Sequence, residues 1–419
     1  MRSSVSLTLA GLVLSAALAQ SAPKTELVGF AMLTADTFAP GPNAGQFRAP
    51  NGGKLETAPF QGQPVQGFSA VQFGPTPGTY WLMPDNGFGT KYNSFDYLLR
   101  IYQITPRPKT TQGGTGTISV GNFIQLRDPD RKIPFFITNE FTQDRLLTGA
   151  DLDIESFVIA ADGTIWLGEE FGPFLLHVDA TGKLLEAPYP TPDFSAGKDP
   201  TKDFVRSPNN PALLSASPNP GATSGANLSS SKGFEGMAIN PARTRLYTML
   251  EGPVVGDPRD VLRIHEFDIA SKRYTGAVFR YKLESPDFAI GDMAVVNDNE
   301  YLVIERDNLQ HTEAKFKKVF KIDLSKRDQN GFVAKEEIAD LLNIADPNRL
   351  SDMSANSVYR MSYFTIEDVI VLDANTILVA NDNNYPATGG RGADVKDRSE
   401  MIWLKLEKPL TLGAGVGRR

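Results

Sequence analysis

Short apolar runs, each closed by a turn signal and answered by a second apolar run, recur along this chain with one layout. Residues 67–73 alternate around Phe68, Val71 and Phe73, turn through Pro75-Thr76-Pro77-Gly78, and are answered by residues 80–86. Residues 153–159 turn at Asp162-Gly163 and return as 165–170. The same layout pairs 233–239 with 246–251, 290–296 with 301–305, and 366–372 with 377–382. β-Branched and aromatic residues on both sides of a turn signal predict a β-hairpin in each copy. Most copies are followed by a third apolar run, at 98–102, 175–179, 264–268 and 319–323.

Three or four strands per unit, repeated, predict an all-β fold of the propeller type, a single domain whose units are blades. The copies are spaced by about 57 to 86 residues, so the connections are long. The longest, residues 195–232, is rich in Ser, Asn, Pro and Gly and is expected to lack regular structure. Five copies are legible. A sixth blade is favoured, built from 121–126 or from 27–32 closing against the last strand at 401–406.

The second run of each copy ends in acidic or amide residues, and this changes the picture from fold to chemistry. Centring each hairpin on its turn signal sets Glu155 against Glu170, Glu235 against Glu251, Asp292 against Glu305, Glu367 against Asp382, and Asp85 against Ser69. Like charges facing across a hairpin are destabilising. A propeller brings corresponding hairpin ends to one face, so Asp85, Glu155, Glu170, Glu235, Glu251, Asp292, Glu305, Glu367 and Asp382 are expected to converge as metal ligands. Clustered carboxylates with amide neighbours such as Asn86, Asn381 and Asn383 suit Ca²⁺ better than zinc or copper. The alternative is separate salt bridges at strand ends, for instance with Arg306 or Arg391.

Composition narrows the classes further. The chain has 42 Lys plus Arg against 49 Asp plus Glu and no basic run, which argues against nucleic acid or an anionic membrane as partner. With no cysteine, disulfide frameworks and Cys-based zinc or redox chemistry are excluded. A basic start, an apolar run from Val5 to Leu18 and small residues at Ala17-Leu18-Ala19 read as a signal peptide over residues 1–19, with the mature domain at 20–419 exported to the periplasm or beyond. That run is short for a spanning helix, and no later segment is long and apolar enough to insert in a membrane. His177 and His265 fall on third strands and read as packing residues, while His311 lies in a polar loop. There is no G-x-S-x-G elbow, phosphate-cradling glycine loop, dinucleotide fingerprint or H-E-x-x-H pair.

Asp151-Leu152-Asp153-Ile154-Glu155-Ser156, the run from Asp162 through Glu169-Glu170-Phe171-Gly172-Pro173, Gly233-Phe234-Glu235-Gly236-Met237-Ala238 and Ile304-Glu305-Arg306-Asp307 together resemble the phytase-like family, also described by an esterase-like activity of phytase. The likeness runs from about Leu27 to Leu406. It implies an exported propeller with phosphoesterase or esterase activity on a small-molecule ester. In the related β-propeller phytases, acidic residues hold calcium ions that bind substrate phosphate and help activate water. Carried onto this chain, Glu155, Glu170, Glu235, Glu251, Glu305 and Asp382 would be metal ligands or bases, with Glu155, Glu170 and Glu235 catalytic and Arg306 or Lys91 facing phosphate. Lysine and arginine are sparse near the acidic ends, which argues against a hexaphosphate. Two other readings stay open: a non-catalytic propeller that binds a ligand with structural calcium, and a lactone or carboxylic-ester hydrolase.

Overall fold

The computed structural model describes residues 22–48, 58–213 and 225–417. The signal peptide expected at 1–19 lies outside the described residues. No helix among the described residues is long and apolar enough to cross a membrane.

The repeats fold into five antiparallel four-stranded blades. The first is Ala70–Phe73, Tyr80–Met83, Arg100–Arg107 and Thr117–Gln125, and the second is Ile154–Ile159, Ile165–Glu169, Phe174–Val178 and Tyr189–Pro190. The third is Phe234–Ile239, Arg245–Leu250, Val261–Asp268 and Arg273–Lys282, and the fourth is Ala289–Val295, Glu300–Arg306, Lys317–Arg327 and Val333–Asp340. The fifth takes Asp368–Asp373, Thr376–Ala380 and Ser399–Leu406 from the end of the chain and Thr25–Leu33 from its beginning. Pairing of Thr25 with Leu406 through Leu33 with Ser399 thus joins the two ends of the fold. The first strand of each blade packs against the first strand of the next, and that of the fifth packs against that of the first, so the ring closes.

Each blade is apolar on both faces because it is sandwiched. Phe157 belongs to the core between blades one and two, and its neighbour Val158 to the core between two and three. Likewise Val303 packs between blades three and four, and Leu302 and Ile304 between four and five. The fifth core joins Val71, Leu82 and Tyr102 of blade one to Ile370, Leu378 and Met401 of blade five. Five interfaces with five cores account for the near-continuous apolar runs in the inner strands, where both side-chain rows must leave water.

The sixth blade expected from the sequence does not form among the described residues. Residues 121–125 are part of the outer strand of blade one, and 27–32 complete blade five rather than a separate unit. Residues 121–125 carry the weak, half-exposed pattern of an outer strand, whereas 27–32 are mostly buried but come from the far end of the chain, so that only ring closure shows which blade they complete. The 195–232 connection is largely irregular as expected, apart from a 3-10 turn at Pro211–Leu213 and a bridge between Pro192 and Phe204, and residues 214–224 of it lie outside the described residues.

In every blade the first strand starts, and the second ends, on the same face of the ring. The two-strand turns and the third-to-fourth turns lie on the opposite face.

Candidate active site

A β-bulge repeats at one step in blades two, three and four. The register shifts between Ile154 and Ser156, between Phe234 and Gly236, and between Ile290 and Asp292. A bulge leaves one residue out of the ladder and re-aims its side chain. That residue is Glu155, Glu235 or Gly291. The second strands then deliver Glu170 and Glu251 just past the last pair and Arg306 at the equivalent step, where it pairs with Ala289, with the Glu170 N–H donating to Asp153 O at 2.8 Å and the Glu251 N–H to Gly233 O at 2.9 Å.

The facing pairs expected from turn centring are therefore displaced by one step. In blade four the displacement changes the chemistry: Gly291 and Arg306 occupy the places that hold acids in blades two and three. Gly291 fits because a Cβ there would lie 2.0 Å from the Ile366 carbonyl oxygen.

Asp85, Glu155, Glu170, Glu235, Glu251, Arg306, Glu367 and Asp382 do meet, lining one cavity of ≈ 380 Å³ at the mouth of the ring. Two expected ligands do not. Asp292 points along the first strand, accepting from Met293 N at 2.6 Å and Val369 N at 2.9 Å, and so ties blade four to blade five. Glu305 is turned away from the mouth between blades three and four, accepting from Tyr281 Oη of blade three at 2.6 Å, Glu284 N at 2.6 Å and Lys335 Nζ of its own blade at 3.0 Å. Lys91 is outside the lining as well, with its Nζ 5.4 Å from the centre of the Phe171 ring.

The cavity also holds residues that turn centring missed. Asp153 lines it, as do Ser231, Lys232, Asn308 and Phe364. Asp153 had a readable signal, since it sits two residues before Glu155 on the same strand. Lys232 had none, because it belongs to the irregular connection that precedes blade three.

Two groups of three carboxylates lie within this mouth. Oxygens of Asp153, Glu155 and Glu170 come within 4.8 Å of one another, and so do oxygens of Glu170, Glu235 and Glu251. Glu170 belongs to both. Calcium binds oxygens at 2.3–2.6 Å, so ligands across its shell are separated by at most roughly 5 Å. Asp153 Oδ1, Glu170 Oε1 and Glu235 Oε1 are buried without a hydrogen-bond partner. Buried polar atoms are ordinarily paired, so three unpaired carboxylate oxygens on residues that line one mouth fit a hard divalent cation.

Charge bookkeeping points the same way. Eight carboxylates line the cavity (Asp85, Asp153, Glu155, Glu170, Glu235, Glu251, Glu367, Asp382) against two cations, Lys232 and Arg306. Lys232 Nζ pairs with Glu251 Oε2, and Arg306 reaches Glu251 at 3.4 Å, Glu367 at 3.3 Å and Asn308 Oδ1 at 2.7 Å. Burial works against the charge on Lys232, but Glu251 and Glu170 outweigh it and raise its pKa. Without a bound cation, burial first and neighbouring acids second push Asp153, Glu155, Glu170, Glu235 and Asp382 well above the usual carboxylate range. Glu367 rises to about 7, burial being partly offset by Arg306.

The residue before each exit position is structural. Glu169 accepts three backbone N–H groups, from Phe171, Gly172 and Phe174, and so shapes the turn behind Glu170. Glu305 and Asn381 anchor the same step in blades four and five.

His177 and His265 are packing residues of blades two and three. His177 stacks on Trp166 at 4.1 Å and bonds Glu186 at 2.8 Å, while His265 is fully buried against Phe234 and Tyr274.

Fold and site together define an all-β propeller with a carboxylate-lined mouth. The chain belongs to the phytase-like family, described by the esterase-like activity of phytase, whose model matches residues 63–385. No curated protein matches it. Among solved structures it is similar to a luciferin-regenerating enzyme (9% identity, 83% of this chain and 80% of that one, TM-score 0.36). Others are the calcium-binding protein regucalcin from Agrobacterium tumefaciens (10%, 83% and 92%, 0.37) and an exo-β-1,3-galactanase from Phanerochaete chrysosporium (10%, 84% and 64%, 0.40). These likenesses are too distant to carry an argument about chemistry.

Proposed function

We propose that this protein is an exported, calcium-dependent hydrolase of phosphate esters or related esters, acting at the carboxylate-lined mouth. The observation that carries the reading is the pair of three-carboxylate groups sharing Glu170, with unpaired oxygens facing a cavity large enough for a small ester. Family membership supports the ester class. Export is proposed on the pattern of residues 1–19.

Asp153, Glu155 and Glu170 would hold one cation, and Glu170, Glu235 and Glu251 a second. Bound there, a divalent cation offsets substrate charge and makes a water molecule more acidic. Arg306 lies on the side of the mouth formed by blades four and five, where its terminal nitrogens hold Glu251, Glu367 and Asn308 and only its Nε is left for a single anionic oxygen. Glu367, which burial raises above the ordinary carboxylate range in the metal-free protein, is placed to accept and return a proton through its carboxylate oxygens. Ser69 Oγ donates to its Oε2 at 3.4 Å and Arg306 to its Oε1, so the group is oriented as well as tuned.

The test is a panel of phosphomonoesters, phosphodiesters, lactones and carboxylic esters assayed with calcium and with chelator. Hydrolysis that disappears with chelator and returns with calcium supports the reading. If no ester is turned over with calcium present, the enzyme reading fails and a calcium-stabilised binding protein takes its place.

A further inference from the structure

Exposed apolar side chains are distributed one-sidedly. Among the described residues ten large hydrophobic side chains are exposed, and all ten lie on connections at the face that carries the mouth, Phe364, Leu309, Tyr92, Phe141, Val255 and Val395 among them. The turns at the opposite face, such as 74–79, 160–164, 240–244 and 328–332, carry none. Single exposed hydrophobics need no explanation, but their concentration around a cavity marks a binding surface.

One of them lines the mouth and a second stands next to a lining residue. Phe364 lines the cavity while 41% exposed, and its carbonyl accepts from the fully buried Lys317 Nζ at 2.9 Å, so its backbone is fixed. Leu309 is 42% exposed, follows the lining residue Asn308, and donates its N–H to Asp307 Oδ1 at 3.2 Å. Both come from the blade four and five side, beside Arg306. The carboxylate groups come from blades two and three. The mouth thus has both three-carboxylate groups on one side and, on the other, the exposed Phe364 ring flanked by Leu309 among Glu367, Asp382 and Arg306, and its two cations already touch acids.

We propose that the substrate is an amphiphilic ester, with its reacting group at the carboxylate side and an apolar chain lying over Phe364 and Leu309. This rests on the hydrolase reading above and names its substrate class. A polyphosphate fits poorly, because Lys232 and Arg306 already serve Glu251 and Glu367. An alkyl group covers surface that now faces water, and full burial of one methylene is worth roughly fourfold in binding. Half-exposed neighbours recover about half of that free energy, or roughly twofold per methylene.

The test compares two 4-nitrophenyl series with calcium present, the methyl to hexyl phosphodiesters and the acetate to heptanoate esters. Whichever series turns over should show kcat/KM rising on the order of thirtyfold across the five added methylenes. The rise should sit mainly in KM, and Phe364→Ser with Leu309→Ser should cut it to less than about threefold. Turnover with a flat chain-length profile overturns the proposal and leaves the hydrolase reading standing. If neither series turns over, calorimetry with methylphosphonate and hexylphosphonate decides. Tighter binding of the hexyl compound, lost in the double variant, supports the apolar wall, and equal or absent binding overturns it.

Discussion

Replacing Glu170 by Gln keeps the side-chain shape and removes the one carboxylate shared by both three-acid groups. In the metal-free protein the change should cost little, because burial and Glu251 already favour the protonated form of Glu170, and its Oε1 has no partner to lose. With calcium the consequence reverses. A cation that binds only the native state at a hundred times its Kd adds about 2.7 kcal/mol of stability. Unfolding entropy of about 2.1 cal/mol/K per residue gives roughly 0.8 kcal/mol/K for a domain of about 400 residues, so wild type should gain about 3 °C in Tm per bound cation, or about 6 °C with both sites filled. Glu170→Gln should start at or slightly above the chelated wild-type Tm and lose most of that gain, together with ester hydrolysis. Differential scanning fluorimetry with chelator and with 10 mM calcium, roughly a hundredfold above a Kd typical of extracellular calcium modules, reads both. A calcium increment that is unchanged in the variant would refute the shared-ligand reasoning, and so would a chelated Tm several degrees below wild type.

The acids also set a pH dependence. The folded pKa values of Asp153, Glu155, Glu170, Glu235, Glu367 and Asp382 lie above the unfolded ones, so the metal-free protein is most stable below about pH 4 on their account and loses stability as pH rises through the folded values, for Glu367 through about 7. Chelated protein should therefore melt lower at pH 8 than at pH 5, and the calcium increment should grow over the same interval because ligands must deprotonate. Arg306→Met leaves Glu251 and Glu367 without their guanidinium and should cost about 3–5 kcal/mol, read as a Tm loss of roughly 4–6 °C. An unchanged Tm would mean that the acids are neutralised without it. Gly233→Ala places a Cβ 2.4 Å from Glu170 Cα and 2.9 Å from Glu169 O, so backbone must move. The expected cost is about 1–3 kcal/mol with a reduced calcium increment, and wild-type behaviour on both counts would show that the close approach of blades two and three is not required.

Much of this molecule was readable from the order of its residues. Apolar runs around turn signals mark inner hairpins, because a strand with a blade on each side must be apolar on both rows. The recurrent acids at 85, 155, 170, 235, 251, 367 and 382 were readable for a related reason: repeats place equivalent residues at equivalent ends, and a closed ring brings those ends together. Outer strands such as Thr117–Gln125 were harder, since they are half-exposed and imitate the start of a further blade. What only the tertiary structure decided is which acids face the mouth. A single bulged residue in the first hairpins of blades two, three and four shifts the register by one step, and side chains alternate with a period of two. That step aims Glu155 and Glu235 into the cavity, turns Glu305 toward Tyr281 and Lys335, and puts Arg306 where an acid stands in other blades. Turn chemistry fixes where a hairpin bends, whereas the bulge is fixed by how tightly neighbouring inner strands pack, as at Gly291 against Ile366, and that contact spans blades far apart in the chain.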